Sequence, residues 1–579
     1  MKTKVLVFAL VLALVAVAGF ATAGGETTTT TTSAAGTPVY GGTLTMLHLF
    51  NTTSNEPPDW DPVKAAGPQV ITYSVPIMGQ AIEGDIAKYG PRGDKTYGFT
   101  NIGWVDESFY TGDLVESWEW TDPLTLTFHV RRGIMYSGIS VNPNVMKPRE
   151  FVADDFVYHL KRMKTSANKG QLWDWVADTS APDKYTWVVK FKQYYADWTW
   201  WLASAFVQPY AKEVVEAPGG ASDWKNLVGT GPFTVAEYVR GDHTTYLKNP
   251  NYSRQVTING KQYKTPFIDK LVWPMITDEA TQIASLRTGK VDWDTTVSPR
   301  YADTLTSSNK NIVRFSFLNE GSLVVALQTS TSKYFKDAAV RRALMIGTDL
   351  NTVGQNAWGK GNYDMNPLVK GAALYVPIDQ MPASTKQLFT YDPAKAKQML
   401  ADAGYPNGFK IEMTYDPSNQ ASMSQDIASM IVDMWSKIGV TVTLKPVEAA
   451  VLTNLTYGHA YTDSILVGRG YGTAGVEMAM GKQGHEENTA AWVNDEYSKM
   501  YDQAFAERDP KKALALKKQM VLKFLDAAPF IPTAIHSQDV YAWAWVKNYY
   551  GETSAGFMNH NPMLKTLWID QNQKKQLGF

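Results

Sequence analysis

The chain has 579 residues, a formal net charge of −1 and no cysteine. This length predicts two to four lobes, each large enough to bury its own core. The near-neutral charge argues against nucleic acid or acidic lipid as a partner, and the lack of cysteine excludes disulfides, zinc–thiolate sites and a thiol nucleophile.

The N-terminus carries the pattern of a secretory signal peptide. Lys2 and Lys4 precede an apolar run, and Ala21-Thr22-Ala23 supplies an A-x-A cleavage pattern, so we predict a signal peptide at 1–23. The threonine-rich stretch 24–39 is expected to be a flexible tether, because such residues bury too little surface to order themselves. No cysteine stands at the cleavage point, so no lipid anchor is expected. The mature protein is expected outside the cytoplasm, in the periplasm or at the cell surface.

The first third of the chain mixes strand and helix patterns. The stretch 43–49 reads as a strand, and Phe50 and Asn51 follow directly after it. An apolar face over 151–163 predicts a helix whose first turn carries two aspartates, which suits the helix dipole better than acid–base work. Six tryptophans crowd 171–201; Trp187 lies on an alternating strand pattern, whereas Trp173 and Trp175 lie in a polar loop.

The middle of the chain is punctuated by the turn GTGPF at 229–233, followed by KNPNYS at 248–253. These motifs, the stretch LVESWEWTDPLTLTFHVRRGIMYSG at 114–138 and the stretch YDPAKAKQMLADAGYPNGFKIEM at 391–413 resemble family 5 extracytoplasmic solute-binding proteins, which serve ABC importers. The resemblance extends over nearly all of 41–570. It implies an α/β fold of the periplasmic-binding-protein type II class (cluster C), with two large lobes, a hinge and a small extra subdomain.

The resemblance also implies how the chain is divided among these parts. Lobe I is expected to be discontinuous and lobe II continuous, with the small subdomain inserted into lobe I. We predict lobe I at 40–62, 226–310 and 530–579, the small subdomain at 63–225 and lobe II at 311–529.

Local signals are strongest between residues 391 and 446. Asp392 and Pro393 form a good helix start, and Gly404 stands where a left-handed C-cap belongs. A strand pattern at 409–415, a helix pattern at 427–438 and a strand pattern at 440–444 then predict a βαβ unit with parallel strands. The methionines of this helix fall on its apolar face and are expected in the core.

Motifs for catalysis are mostly missing from the sequence, which lacks G-x-S-x-G, a P-loop and H-E-x-x-H. One literal G-x-G-x-x-G occurs at 470–475, after an apolar strand pattern at 464–468. It lies late in a secreted chain without the acidic residue expected about 20 positions on, so a nucleotide site is disfavoured.

The same position, at the carboxyl end of a strand, suits ligand binding. Peptide-binding members of the family carry an arginine, an aromatic residue and then an aspartate in this stretch; Arg469 and Tyr471 match the first two. The aspartate, which holds the α-amino group of the peptide, has no counterpart near residues 474–475. Either another acid such as Asp463 replaces it, or the ligand lacks an amine, as a neutral oligosaccharide does. An ion pair across the lobes is the competing role for Arg469.

Further candidate ligand contacts are Phe50, Asn51, Trp173, Trp175 and Trp358, with core packing as the alternative for each tryptophan. We therefore expect a monomer that binds a short oligopeptide or an oligosaccharide and delivers it to the permease of an ABC importer, without catalytic residues, metal or cofactor. The alternatives are a secreted glycan hydrolase, an adhesive surface protein, and a nickel or haem carrier on the same fold.

Overall fold

The structure is a computed structural model of the chain. It describes residues 36–47, 57, 59–64, 68–100, 105–166, 175–202, 207–319, 321–370, 372–418, 423–470, 478–556 and 558–579. The predicted signal peptide lies outside these residues and stays a prediction, as does the tether at 24–39 apart from its last four positions.

The strands are numbered in chain order. They are β1 (Thr43–Leu47), β2 (Ile82–Gly84), β3 (Tyr110–Gly112), β4 (Val115–Asp122), β5 (Thr125–Val130), β6 (Met135–Tyr136), β7 (Arg149–Glu150), β8 (Val176–Asp183), β9 (Thr186–Phe191), β10 (Phe233–Val239), β11 (His243–Lys248), β12 (Gln255–Ile258) and β13 (Lys261–Lys264). They continue with β14 (Lys270–Pro274), β15 (Trp293–Asp294), β16 (Ile312–Leu318), β17 (Gly321–Leu327), β18 (Tyr363–Asp364), β19 (Phe409–Tyr415), β20 (Val440–Pro446), β21 (Ser464–Gly470), β22 (Phe530–Pro532), β23 (Ile535–Trp543), β24 (Val546–Lys547) and β25 (Trp568–Ile569).

The α-helices alternate with the strands, most densely after residue 330. They are α1 (Pro68–Ser74), α2 (Ala153–Met163), α3 (Trp198–Leu202), α4 (Lys212–Glu216), α5 (Glu279–Arg287), α6 (Ala302–Ser308), α7 (Ala338–Ile346) and α8 (Leu350–Trp358). After these come α9 (Ala383–Lys386), α10 (Pro393–Asp402), α11 (Ser424–Lys437), α12 (Ala449–Tyr457), α13 (Asp495–Ala506), α14 (Pro510–Ala527), α15 (Asn561–Leu564) and α16 (Gln571–Gln576).

Two large mixed sheets organise the chain. The first sheet has the order β10-β11-β14-β1-β15-β23-β16, with β18 also paired to β23, and the second has the order β20-β19-β21-β17-β22. In the first sheet β1 runs parallel to β14 and β15, and in the second β19 runs parallel to β20 and β21. This is the mixed α/β class that the resemblance implies.

Apolar residues cover both faces of the second sheet. Along β17, Val325 and Leu327 face one cluster and Val324 and Ala326 face another, as the period of two in a strand requires. Helices α7 and α11 lie over the first face, and α13 and α14 over the second. Both faces of the sheet are therefore buried, as is usual for sheets with helices packed on each side.

Two neighbouring segments carry the chain between the sheets. One passes from β16 in the first sheet to β17 in the second, and the other returns from β22 to β23. Hydrogen bonds link them on both sides of the junction: Asn319 N–H donates to the His536 carbonyl at 2.8 Å, and Thr533 N–H donates to the Leu323 carbonyl at 2.9 Å. We call these two segments the crossing segments.

A smaller antiparallel sheet, β4-β5-β9-β8, is formed by residues 115–191. Trp187 lies at its centre, with Phe156 of α2 stacked at 4.2 Å between ring centroids and Phe128 at 4.4 Å. The prediction that Trp187 belongs to a core is confirmed. Asp155 in the first turn of α2 accepts a hydrogen bond from Val152 N–H and pairs with Arg149 at 2.7 Å, so the aspartate has a structural partner.

The turn at 229–233 is explained by close contact rather than by unusual backbone angles. A Cβ on Gly229 would lie 1.7 Å from the Ile77 carbonyl oxygen, and Gly231 N–H donates to that same oxygen at 2.9 Å. Neither glycine has a positive φ. Glycine is therefore needed here because it lets two backbones touch, and not because it supplies unusual backbone angles.

The βαβ unit is confirmed. Strand β19 pairs in parallel with β20, and α11 forms the crossover between them. Upstream, Asp392 caps α10 by accepting from Lys395 N–H, and Gly404 has φ +94° just after that helix ends. Local capping signals thus place these elements correctly.

Candidate functional site

The parallel strands of both sheets point their carboxyl ends toward the crossing segments. In the second sheet Gly470, the last residue of β21, pairs with Gly321, the first residue of β17 after the junction. In the first sheet Asp294, the last residue of β15, pairs with Tyr541 of antiparallel β23, which begins at the other junction. Ligands of open α/β sheets bind outside the carboxyl ends of strands, so the space between the two sheets is the candidate site.

Arg469 lies at the edge of the second sheet that faces this space. Its Nη2 donates to Thr489 Oγ1 at 2.8 Å and lies 3.8 Å from Glu487 Oε2, and its Nη1 donates to the Gly468 carbonyl at 3.0 Å. Its guanidinium also lies 5.6 Å from the centre of the Tyr457 ring. All these partners belong to the second sheet or its loops. The ion pair of Arg469 is therefore formed with a residue of the same sheet's loops and not with the first sheet.

Glu487, which pairs with Arg469, has a second carboxyl group beside it in the chain, that of Glu486. Burial, together with the neighbouring Glu487 carboxylate, raises the pKa of Glu486 to about 7. The Glu487 carboxylate is also the main cause that raises the pKa of Tyr457 to about 12. The edge thus has one guanidinium, one carboxylate that pairs with it, and a second carboxyl that can take up or release a proton near neutral pH. Such a set can bind an ammonium group.

Sequence reasoning missed Glu486 and Glu487; it named Asp463 as a candidate acid and left open a ligand without an amine. The structure places Asp463 just before the first residue of β21, six positions from Arg469, or roughly 20 Å along the strand. Its carboxylate accepts from Ser332 Oγ at 2.8 Å and from Glu412 N–H at 3.1 Å. Asp463 and Arg469 therefore lie at opposite ends of β21, and Asp463 is too far away to be the acidic partner of Arg469.

Two of the tryptophans predicted as ligand contacts, Trp175 and Trp358, are among the described residues, and both lie inside apolar cores. Trp175 is 2 % exposed and stacks on Tyr195 with ring centroids 5.1 Å apart. Trp358 is also 2 % exposed and stacks on His536 of a crossing segment at 3.8 Å. Neither indole has a free face for a solute in this structure, so packing is the role that the geometry gives them. The remaining predicted contacts, Phe50, Asn51, Trp173 and Tyr471, lie outside the described residues, as does most of the motif at 470–475.

The first sheet contributes a buried polar group at its own edge. Asp294 is completely buried, and its Oδ1 accepts from Thr296 N–H at 2.7 Å and from Thr296 Oγ1, whereas its Oδ2 has no hydrogen-bond partner among the described residues. Burial raises the pKa of Asp294 to about 7. Nearby, Asp539 of β23 pairs with Arg314 of β16 at 3.0 Å and accepts from Tyr541.

The small sheet and its flanking loop contact the helices of the second sheet. Ala196 N–H donates to the Phe505 carbonyl at 2.9 Å, and Tyr195 stacks on the Phe505 ring at 5.5 Å. Lys517 Nζ lies 3.3 Å from Asp197 Oδ1, and that carboxylate is only 4 % exposed. We call these contacts between 195–197 and α13–α14 the rim contact.

Within the part of the chain that the structure describes, no group of three or more histidine, aspartate or glutamate side chains is arranged to hold a metal ion. Nor does any helix found there have the length and apolar character needed to cross a bilayer.

Comparison with solved structures identifies the fold. The chain is similar to the periplasmic binding protein DppA of Helicobacter pylori in complex with the peptide STSA, with a TM-score of 0.74, 20% identity, and coverage of 92% of this chain and 99% of that chain. It is also similar to the dipeptide-binding protein of Pseudoalteromonas sp. SM9913 in complex with Met-Leu, with a TM-score of 0.72, 18% identity, and coverage of 91% and 100%. The fold is therefore the type II fold of periplasmic binding proteins.

The family follows from the sequence match. Residues 110–490 match the profile of bacterial extracellular solute-binding proteins, family 5 Middle, so the chain belongs to this family of extracytoplasmic binding proteins. Relatives include heme-binding protein A of Haemophilus influenzae, 27% identical over 73% of this chain and 78% of that protein, and glutathione-binding protein GsiB of Escherichia coli, 24% identical over 82% and 89%. These relatives are named for binding and not for catalysis.

Proposed function

We propose that the protein is the extracytoplasmic substrate-binding component of an ABC importer and that it captures a short oligopeptide between its two lobes. The observation that carries this proposal is the position of Glu487, 3.8 Å from Arg469 at the carboxyl end of β21. A peptide brings an α-ammonium group, and burying that group without a counter-charge is costly. Glu487, with Glu486 beside it, supplies the acid that such a ligand needs.

The same geometry favours a peptide over a neutral oligosaccharide. The sugar alternative depended on exposed aromatic faces and on the lack of an acid near Arg469. Trp175 and Trp358 are packed in cores, and the Glu487 carboxylate, with Glu486 next to it in the chain, lies 3.8 Å from Arg469. The relatives whose names include glutathione, STSA and Met-Leu support the same class of ligand.

The proposed mechanism is closure about the crossing segments, with the predicted lobe boundaries retained as part of the proposal. A ligand that touches both sheet edges only when the lobes are closed shifts the population toward the closed form. The permease then receives the closed shape and an unchanged ligand. The protein works as a monomer in this scheme.

The experiment is calorimetric titration of purified protein with a library of di- to pentapeptides, after native mass spectrometry has identified any ligand carried over from expression. Each binding peptide is repeated with its amine acetylated, and a set of maltooligosaccharides is titrated in parallel. We expect the acetylated peptide to bind at least about tenfold more weakly, because its amine can no longer pair with a carboxylate.

The matched variants are Glu487→Gln and Glu119→Gln. Glu119 lies on β4 of the small sheet with a side chain 63% exposed, so its loss is expected to leave affinity unchanged. Equal binding of free and acetylated peptides would overturn the proposed role of Glu487. Binding of oligosaccharides alone would favour the sugar alternative, and recovery of a cleaved ligand would favour the hydrolase.

A further inference from the structure

A second cavity lies away from the space between the two sheets. It has a volume of about 580 Å³ and is formed by β2 and β3, the turn at 131–134, the stretch 253–256 and residues next to α15. Its size falls in the range of small-molecule sites. The exposed residues Arg132 and Gln255 line its mouth. None of its lining residues comes from 321–532, the stretch that contains every strand of the second sheet.

One wall of this cavity carries a buried carboxylate that is only half satisfied. Glu83 is 6 % exposed; its Oε1 accepts from Lys565 Nζ at 2.5 Å, and its Oε2 has no hydrogen-bond partner among the described residues. Burial raises the pKa of Glu83, although Lys565 opposes the shift. A buried carboxylate oxygen without a donor is costly, and a rotation of the Glu83 side chain toward the cavity would let an N–H group of a ligand reach Oε2 and remove that cost.

Two arginines of the lining, by contrast, have N–H groups that lack an acceptor among the described residues. Arg131 is fixed by its Nε, which donates to the Asp113 carbonyl at 3.0 Å, and by its Nη2, which donates to the Gly112 and Val115 carbonyls. Arg254 Nη2 donates to the same Gly112 carbonyl at 3.3 Å and lies 3.8 Å from the Asp113 carboxylate. Nη1 of both arginines has no hydrogen bond within the described chain.

The two guanidinium groups are close enough to repel each other. Burial and the neighbouring Arg254 lower the pKa of Arg131. Two guanidinium groups that share one carbonyl, each with an unused nitrogen, are suited to bind a carboxylate. Arg254 also acts electrostatically on Glu83. The carboxylate that lacks a donor and the arginines that lack an acceptor in the described chain therefore line the same cavity.

We propose that this cavity binds a small zwitterion, such as a free α-amino acid, with its ammonium group on Glu83 and its carboxylate on Arg131 and Arg254. The charges of the lining are nearly balanced, as a zwitterionic ligand requires: Arg131, Arg132, Arg254 and Lys565 against Glu83, Asp85 and Glu116. The proposal does not depend on peptide binding between the sheets.

The position of the cavity has a consequence for binding. Because its lining contains no residue of the second sheet, a ligand there does not require the lobes to close. Binding at this cavity and binding between the sheets are therefore expected to be additive, with no change in either affinity when the other ligand is present.

The test titrates the full chain with each of the twenty standard L-amino acids at millimolar concentration and follows binding by calorimetry. We expect at least one to bind with a stoichiometry of one, and we expect its decarboxylated amine and its deaminated acid each to bind at least about tenfold more weakly. Loss of binding with Arg469→Ala would assign the amino acid to the space between the sheets and overturn the proposal.

The variants are Glu83→Gln, which removes the carboxylate, and Arg254→Met, which removes a guanidinium at the edge of the cavity and leaves the buried Glu83–Lys565 pair intact. We expect either change to weaken binding at least about tenfold and Glu119→Gln to leave it unchanged. If Glu83→Gln does not fold, Arg254→Met decides alone. Binding that survives Arg254→Met, equal binding of the deaminated acid, or no binding by any amino acid would each overturn the proposal.

Discussion

Arg314 and Asp539 pair across the two strands that lead into and out of the second sheet, with Nη2 and Oδ2 3.0 Å apart and the Asp539 side chain completely buried. The register of β16 and β23 runs without interruption past this pair. The crossing segments are thus joined by a charge pair as well as by backbone hydrogen bonds.

Asp539→Asn is expected to destabilise the protein by about 3 kcal/mol, because it leaves the half-buried Arg314 guanidinium without its counter-charge. The free energy of unfolding from urea titration measures this. Asp433→Asn is the control: Asp433 pairs with Lys437 on α11, both side chains are more than half exposed, and the expected loss is below about 0.5 kcal/mol. Equal losses in the two variants would show that the Arg314–Asp539 pair is not structurally important.

Lys517→Met is expected to weaken the rim contact. Removing Lys517 leaves the Asp197 carboxylate buried and unpaired, which costs roughly 3–5 kcal/mol unless the contact opens and water reaches it. We expect a larger radius of gyration in solution scattering and weaker peptide binding. Lys523→Met serves as the control on the same helix, because its partner Glu496 is 70% exposed. An unchanged radius of gyration in Lys517→Met would contradict the prediction.

Stability is expected to fall as pH rises, in part through Asp294. Its pKa is raised to about 7 in the fold from an ordinary value of 3.8, so the folded protein holds a proton that the unfolded chain releases between these values. The contribution of this proton to the free energy of unfolding is complete below pH 3.8 and is lost as the pH rises to about 7. It amounts to about 4 kcal/mol at most. Asn at this position keeps a neutral side chain at every pH. Comparing melting temperatures at about pH 5 and about pH 8 should therefore show a smaller drop in Asp294→Asn than in the parent.

Gly229→Ala tests the close backbone contact at the turn. The added methyl group would lie 1.7 Å from the Ile77 carbonyl oxygen, so backbone must move, and we expect a loss of at least about 3 kcal/mol. Gly468→Ala on β21 is the control, because nothing lies within 4 Å of its added Cβ. Thermal unfolding measures both. A melting temperature for Gly229→Ala that matches the control would refute the contact argument.

The fold was predictable where its signals are local. Nearby residues alone predict the helix start at Asp392 and Pro393, the helix end at Gly404 and the alternating strand pattern at 409–415. The structure confirms all three. The burial of Trp358 was not predictable, because it depends on His536, which arrives from the far end of the chain.

The candidate site was predictable only in part. Arg469 was placed correctly at the carboxyl end of a strand, since the apolar run before it defines β21. Its acidic partner was not, because Glu487 reaches it through the path of the chain between β21 and α13 and not through any sequence spacing. A pair of adjacent glutamates at 486–487 was the available signal.

The crossing segments are paired on both sides of the junction, which bears on the closure proposed above. A single connecting strand can twist and bend about its own backbone, whereas two strands joined by hydrogen bonds restrain each other. If the proposed closure takes place, we therefore expect it to be a single rotation about the paired crossing segments. Fluorescent labels at any two distant points, one on each sheet, should then report the same transition with the same midpoint.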